Sequence, residues 1–279
     1  VAEQHTQQHT QQHTQQTQDR EEQRGRPVVL VTGAGRRRGI AAGIALRLAT
    51  AGWDVGLTWW TPYDARMPWG EQPGDPASLL ADLAAAGART TGAEVDLSDP
   101  AGPAAAFEAV QGELGPVTAL VVCHCESVDS SILDTDVESF DRHMAVNARA
   151  TWLLVREHAL RFREADLAPG TGRVVALTSD HTAHNLPYGA SKGALERIVV
   201  AAAEELGGLR ISSNAVNPGP VDTGWMDDDV RRSGRAATPL GRLGTPADTA
   251  DLVEFLLSPR GGWVTGQVLF SNGGFRTHR

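Results

Sequence analysis

Val28-Val29-Leu30-Val31-Thr32-Gly33-Ala34-Gly35-Arg36-Arg37-Arg38-Gly39-Ile40 decides the fold. An apolar, mostly β-branched run reads as a buried strand, and the stretch from Ile40 to Ala51 reads as a helix. Between them, the glycines let the backbone approach a bound group closely. Strand, glycine-rich turn and helix in this order form a phosphate cradle, with main-chain N–H groups and the helix N-terminus turned to the same anion. Taken alone, the segment also fits an ordinary tight strand-to-helix turn.

Outward from this unit the pattern repeats. Strands are expected at Asp54–Thr58, Thr90–Val95, Ala119–Val122, Arg173–Leu177, Ile211–Val216 and Gln267–Phe270. Helices are expected at Ala77–Ala86, Ala104–Glu113, Val137–Phe162, Tyr188–Leu206 and Pro246–Leu257. Short β-branched runs alternating with Ala/Leu-rich stretches imply an α/β fold, a doubly wound parallel seven-stranded sheet of the Rossmann type. Thr61–Pro76, with four prolines and Trp69, and the polar Thr223–Pro239 are expected as long surface loops.

The first residues are different in kind. His5-Thr6-Gln7-Gln8 recurs twice, through Gln16, and a charged stretch follows to Arg26. Such a tract cannot bury a core, so 1–26 is expected to be a disordered tail and 27–279 a single NAD(P)-binding domain. A helical tail would stack His5, His9 and His13 as metal ligands, but polar repeats of this kind usually stay disordered, and no metal is assigned.

With 41% hydrophobic residues and a formal net charge of −9, the chain suits an acidic enzyme better than a nucleic-acid surface, which needs a basic stripe. No run of about 18 apolar residues is present to span a bilayer, and the N-terminus has no signal-peptide pattern. Only Cys123 and Cys125 could form a disulfide, and their spacing on one strand is poor for it. A cytoplasmic location is expected, without membrane or nucleic-acid partners.

Tyr188 and Lys192 lie four apart, which on a helix puts phenol and ammonium on one face. A free tyrosine has a pKa near ~10, and a neighbouring cation is expected to lower it, suiting the phenol to proton exchange with an alcohol or carbonyl oxygen. The same pair also fits a solvated helix face. The end of the second strand, Thr58-Trp59-Trp60, carries no acid to hold a ribose 2′-hydroxyl, and none follows before Asp64. Arg36, Arg37 and Arg38 could instead meet a 2′-phosphate, so NADP is read in preference to NAD. A solvated charge run is the alternative for these arginines.

Thr32-Gly33, Asp96-Leu97, Asn147, Ser179, Tyr188 with Lys192, Pro218-Gly219 and Gly273-Gly274 occur in the order found in short-chain dehydrogenases/reductases. From Pro27 to Phe275 the chain resembles that family, and within it the branch often labelled 3-oxoacyl-acyl-carrier-protein reductase. The resemblance implies hydride transfer between nicotinamide and a carbonyl or secondary alcohol, such as a 3-oxoacyl thioester or small ketone. It implies catalytic roles for Tyr188 as general acid or base, Ser179 as partner of the reacting oxygen, Lys192 as ribose ligand and tuner of the phenol, and Asn147 as holder of a relay water. Gly33, Gly35, Arg36, Arg37, Arg38, Gly39 and Ile40 would hold the cofactor phosphates. Asp96 and Leu97 would flank the adenine, while Pro218, Gly219, Val221 and Thr223 would line the nicotinamide. A homodimer or homotetramer, joined by the fourth and fifth family helices, is also implied.

Several positions depart from the family pattern. The Gly33–Gly39 turn is longer than usual, and Ala41 replaces its final glycine, a methyl expected to crowd the helix against the strand. Val122-Cys123-His124-Cys125 stands where Asn-Asn-Ala-Gly is usual. These residues could not by themselves wrap a tetrahedral metal ion. Ser179 and Tyr188 are closer in sequence than is common, and the shorter loop is expected to open the pocket. The rival reading is a dinucleotide-binding sensor or scaffold with weak or no turnover.

Overall fold

The computed structural model describes residues 25–275. The tail repeat, with its expected disorder and its His5, His9 and His13, lies outside the described residues. The elements run β1 (Val28–Val31), α1 (Ile40–Thr50), β2 (Asp54–Trp59), α2 (Thr61–Arg66), α3 (Asp75–Ala85), β3 (Thr90–Glu94), α4 (Gly102–Leu114) and β4 (Val117–Val122). Next come α5 (Val137–His143), a π-helical turn (Met144–Arg149), α6 (Ala150–Glu164), β5 (Arg173–Leu177), α7 (Leu186–Glu205), β6 (Ser212–Asn217), α8 (Asp228–Ala237), α9 (Pro246–Leu257) and β7 (Val268–Phe270).

The seven strands order as β3-β2-β1-β4-β5-β6-β7, and every pair is parallel. Because side chains alternate along a strand, β1 feeds two cores. Val29 and Val31 pack with Ile44, Leu83 and Val253 beneath α1, α3 and α9, whereas Val28 and Leu30 pack with Phe107, Leu154 and Leu195 beneath α4, α6 and α7. The order reverses between β1 and β4, and both strands carry their C-terminal ends to one crevice. This is the switch point where open α/β sheets bind ligands.

Both expected loops contain helices. In the first, α2 begins with Pro62 in its opening turn, where a missing N–H costs nothing. In the second, the Asp227 side chain caps α8 by accepting from the Val230 N–H at 2.8 Å. Arg231 and Arg232 extend that stabilisation through pairs with Asp228 and Asp229 one turn back. The single helix expected over 137–162 is interrupted by the π turn at Met144–Arg149. Ala41 sits in the core at 3% exposure. A close approach of α1 to α9 is at Gly43, where a Cβ would fall 2.6 Å from the Pro246 ring. Among the described residues no helix is long and apolar enough to cross a membrane.

His158, on α6, is fully buried between Phe107 and Phe162 with ring centroids 6.2 and 5.9 Å away, and among the described residues neither ring nitrogen has a partner. Burial holds its pKa down at about 4 from 6.5. The folded state therefore keeps His158 neutral where the unfolded chain takes a proton. The contribution to stability is whole above pH 6.5 and is lost as pH falls toward 4, by roughly 3 kcal/mol in all. Urea titrations of wild type and His158→Leu across this window should show a flatter profile for the variant. Parallel profiles would refute the assignment.

Candidate active site

The crevice is built first by Thr32 and Gly33 at the end of β1. Gly33 has φ +75°, and a Cβ there would lie 2.6 Å from the backbone N and Cα of His124. Only glycine lets the two chain segments meet so closely. The Thr32 N–H donates to the Val121 carbonyl at 3.0 Å, and the Cys123 N–H donates to Thr32 Oγ1 at 3.1 Å. The His124 ring bridges Thr32 Oγ1 through Nδ1 at 2.8 Å and the Val146 carbonyl through Nε2 at 2.9 Å. A carbonyl only accepts, so Nε2 carries the hydrogen and Nδ1 accepts from the threonine hydroxyl. Burial holds His124 neutral, with its pKa lowered to about 3. The unusual histidine thus pins the ends of β1 and β4 to the π turn. Cys123 and Cys125 are free and half-buried.

The π turn places Asn147. Its Oδ1 accepts from the Glu126 N–H at 2.8 Å, and its Nδ2 donates to the Glu126 carbonyl at 2.9 Å and to Ser191 Oγ at 2.8 Å. Ser191 Oγ in turn donates to the Tyr188 carbonyl at 2.8 Å. Both amide hydrogens of Asn147 are committed, so the side chain clamps the segment after β4 to the first turn of α7. A π turn inserted at a functional position is a recurrent device for turning one side chain inward.

Tyr188 and Lys192 stand on successive turns of α7, as their spacing predicted. Ser179, beyond β5, is a hydrogen-bonding neighbour of the Tyr188 phenol despite the short loop between them. That loop closes on Gly189, where a Cβ would fall 2.2 Å from the His181 carbonyl oxygen. It is also tied to the segment after β4 through Asn185 Nδ2, which donates to Asp129 at 2.6 Å. Lys192 is 2% exposed; its Nζ donates to the Leu177 carbonyl at 2.8 Å and lies 5.6 Å from the Tyr188 ring centroid. The expected lowering of the Tyr188 pKa is corrected. Burial, then Cys125, pushes the phenol up, with Ser179 opposing. Burial also pushes the Lys192 ammonium down.

The three arginines of the turn diverge. Arg36 pairs with Asp64 at 3.4 Å, lies 4.5 Å from the Trp69 ring centroid and reaches the Thr223 carbonyl at 3.4 Å. Arg37 turns away to α3, pairing with Asp82 and meeting Ser78. Arg38 forms no ion pair among the described residues, and its guanidinium lies against Gly224, 3.1 Å from where a Cβ would stand. Gly35 faces Asp64, whose Oδ2 would be 2.7 Å from an added Cβ, and the Gly39 N–H closes the turn on the Arg36 carbonyl at 3.0 Å. Ile40 opens α1.

Across the crevice, Gly219 has φ +62° and accepts no Cβ because Asn272 would be 2.4 Å away. Val221 and Thr223 are buried behind it, and Pro218 follows β6 directly. The segment is held by Asp222, which takes Arg231 of α8 at 3.0 Å and the Gly224 N–H at 3.0 Å. Asp96 folds on itself by accepting from the Ser98 N–H at 2.8 Å, beside buried Leu97. Sequence reasoning placed Glu126 in a pocket wall and gave Tyr63 no role. Glu126 is 2% exposed and pairs with both Arg66 of α2 and Arg142 of α5.

The family model described as enoyl-(acyl carrier protein) reductase matches residues 33–276. An uncharacterised oxidoreductase of Bacillus subtilis, YjdA, is 34% identical over 252 residues, covering 89% of this chain and 96% of the relative. A chloroplastic NADPH-dependent aldehyde reductase-like protein of Arabidopsis thaliana is 32% identical over 260 residues, covering 89% and 93%. Among solved structures, a blue fluorescent protein from a metagenomic library, in complex with NADPH, superposes with a TM-score of 0.78 at 31% identity, covering 90% of this chain and 98% of that one.

Proposed function

The chain belongs to the short-chain dehydrogenase/reductase family of oxidoreductases, and from that premise we propose that it is an NADP-dependent carbonyl reductase using Tyr188 as proton donor. The observation that carries the reading is the meeting of Tyr188, Ser179 and Lys192 at the crevice beside Gly33, where the ends of β1 and β4 close on each other. The residues fit a dinucleotide: the glycine turn between β1 and α1 opens at the switch point of the sheet, and among the described residues Arg38 makes no ion pair. The bound cofactor would supply a hydride from nicotinamide C4 to the substrate carbonyl carbon.

The chain's own residues handle the oxygen. Ser179 donates to the reacting carbonyl oxygen and Tyr188 gives it the phenolic proton as the alcohol forms. Because burial pushes the Tyr188 pKa up, the phenol stays protonated through neutral pH. That state is the one reduction needs. Lys192, anchored on Leu177, keeps an ammonium near the phenolate that develops and retains hydrogens for a ribose hydroxyl. Asn147 acts by position, since its amide holds Glu126 and Ser191. The relay water expected there would sit on the main chain. The substrate class we assign is a ketone or 3-oxoacyl thioester. Trp152, half exposed on α6, lies on a helix through which we propose that copies associate.

Asp64 does not argue for NAD. Its carboxylate is committed to the Trp69 indole N–H at 2.8 Å and to Arg36, so it braces an arginine that would meet a 2′-phosphate. Calorimetric titration should give NADPH an affinity about tenfold or more above NADH. Arg36→Ala should remove most of that preference while leaving NADH binding nearly unchanged. Tighter binding of NADH by wild type would overturn the assignment.

A further inference from the structure

We propose that Tyr63 is a second phenol donor of the substrate pocket and selects ketones that carry another oxygen, a hydroxyl or carbonyl, close to the reacting one. The inference rests on the reading of the Tyr188 crevice as a carbonyl-reducing site. It begins with α2, which spans six residues and buries none of them. A helix so short has no stability of its own, so its position is set by what ties it down.

Those ties run to both halves of the fold. The Thr61 N–H donates to Glu94 at the end of β3 at 2.9 Å. Asp64 joins Arg36 and Trp69 over the glycine turn. Arg66 pairs with Glu126, whose backbone N–H and carbonyl are both held by Asn147. The segment is thus a strap from the phosphate turn to the Asn147 clamp. Tyr63 sits within it, its ring 6.2 Å from the Trp69 ring and 5.2 Å from the Arg66 guanidinium. The phenol is close enough to Cys125, Glu126, Asp64 and Tyr188 to interact with each electrostatically, and burial pushes its pKa up, keeping it a donor.

The ring is braced on two sides, yet among the described residues the hydroxyl has no hydrogen-bond partner. Phenylalanine would meet Trp69 and Arg66 equally well. The chain has two tyrosines, and both face this crevice. A reacting carbonyl already has Tyr188 and Ser179 as donors, so Tyr63 needs a different acceptor. A substrate with a second oxygen supplies one, and a plain ketone leaves a half-buried donor unpaired.

The test compares reduction of hydroxybutanone and butanone by NADPH in the full chain and in Tyr63→Phe. The variant should lose about tenfold or more of kcat/KM on hydroxybutanone, mostly in KM, and stay within about twofold on butanone. Equal losses on both ketones would mean that Tyr63 only packs the strap, and no loss on either would remove it from the pocket; both results overturn the proposal. Fluorine NMR of the fluorotyrosine-labelled chain separates this failure from failure of the reduction reading. With NADP present, hydroxybutanone should move both tyrosine resonances and butanone that of Tyr188 alone. Movement of the Tyr188 signal alone with both ketones refutes the role of Tyr63 and leaves the reduction reading standing. Movement of neither signal refutes both.

Discussion

Tyr188→Phe should lower kcat for NADPH-dependent ketone reduction by about 10²–10⁴-fold while leaving NADPH affinity unchanged, because general-acid proton transfer is worth about that much. The substitution removes one oxygen and keeps the ring on which the Lys192 ammonium packs at 5.6 Å. Lys192 remains anchored to the Leu177 carbonyl and the Asn147 clamp is untouched, since it reaches Tyr188 only through the backbone carbonyl and Ser191. Binding and turnover should therefore separate. Single-turnover kinetics beside a cofactor titration read both quantities. Activity retained within tenfold would move the proton to another group, and a parallel loss of NADPH binding would make Tyr188 a cofactor ligand before a donor.

Gly33→Ala is expected to destabilise the protein strongly and to abolish cofactor binding in whatever fraction folds. Two costs combine there. An L-residue at φ +75° pays about 1–2 kcal/mol for the left-handed backbone. The added methyl must also occupy a point 2.6 Å from the His124 backbone, which cannot withdraw because the His124 ring is fixed at both nitrogens. Gly52→Ala isolates the first cost, for Gly52 has φ +94° with no described residue within 4 Å of the added carbon. Denaturant titration of the two variants should show the Gly33 loss to be at least about twice that at Gly52. Equal losses would mean that β1 and β4 separate easily, and the crevice would then lack the rigidity assigned to it.

The sheet was legible because β1, β4 and β5 are short apolar runs buried on both faces, and the more polar β3 and β6 follow the same alternation with helices. Helix α2 was not legible, because Pro62 and the prolines after it read as breakers, whereas one in a first turn is tolerated. Helix α8 buries no residue, so no apolar stripe marks it; its cap and its Asp–Arg pairs do. The π turn leaves no compositional trace, since it differs from an α-helix only in which carbonyl each N–H finds.

Within the site, Tyr188, Lys192, Ser179 and Gly33 could be read from local chemistry and order. Tyr63 could not, because its place depends on ion pairs between segments distant in sequence, Arg66 with Glu126 and Asp64 with Arg36. The sign of the Tyr188 shift was also hidden. Spacing reveals the nearby cation, but only the packed crevice reveals that burial and Cys125 push the phenol up against Ser179.

The most direct test of the central claim follows the hydride. Wild-type protein supplied with NADPH deuterated at nicotinamide C4 and with hydroxybutanone should release an alcohol bearing deuterium on the former carbonyl carbon, one label for each NADPH consumed from the transferring face, and Tyr188→Phe should bind the same cofactor without transferring it. NADPH that binds tightly while no label reaches any ketone in a broad panel would contradict the account and favour a binding protein without turnover.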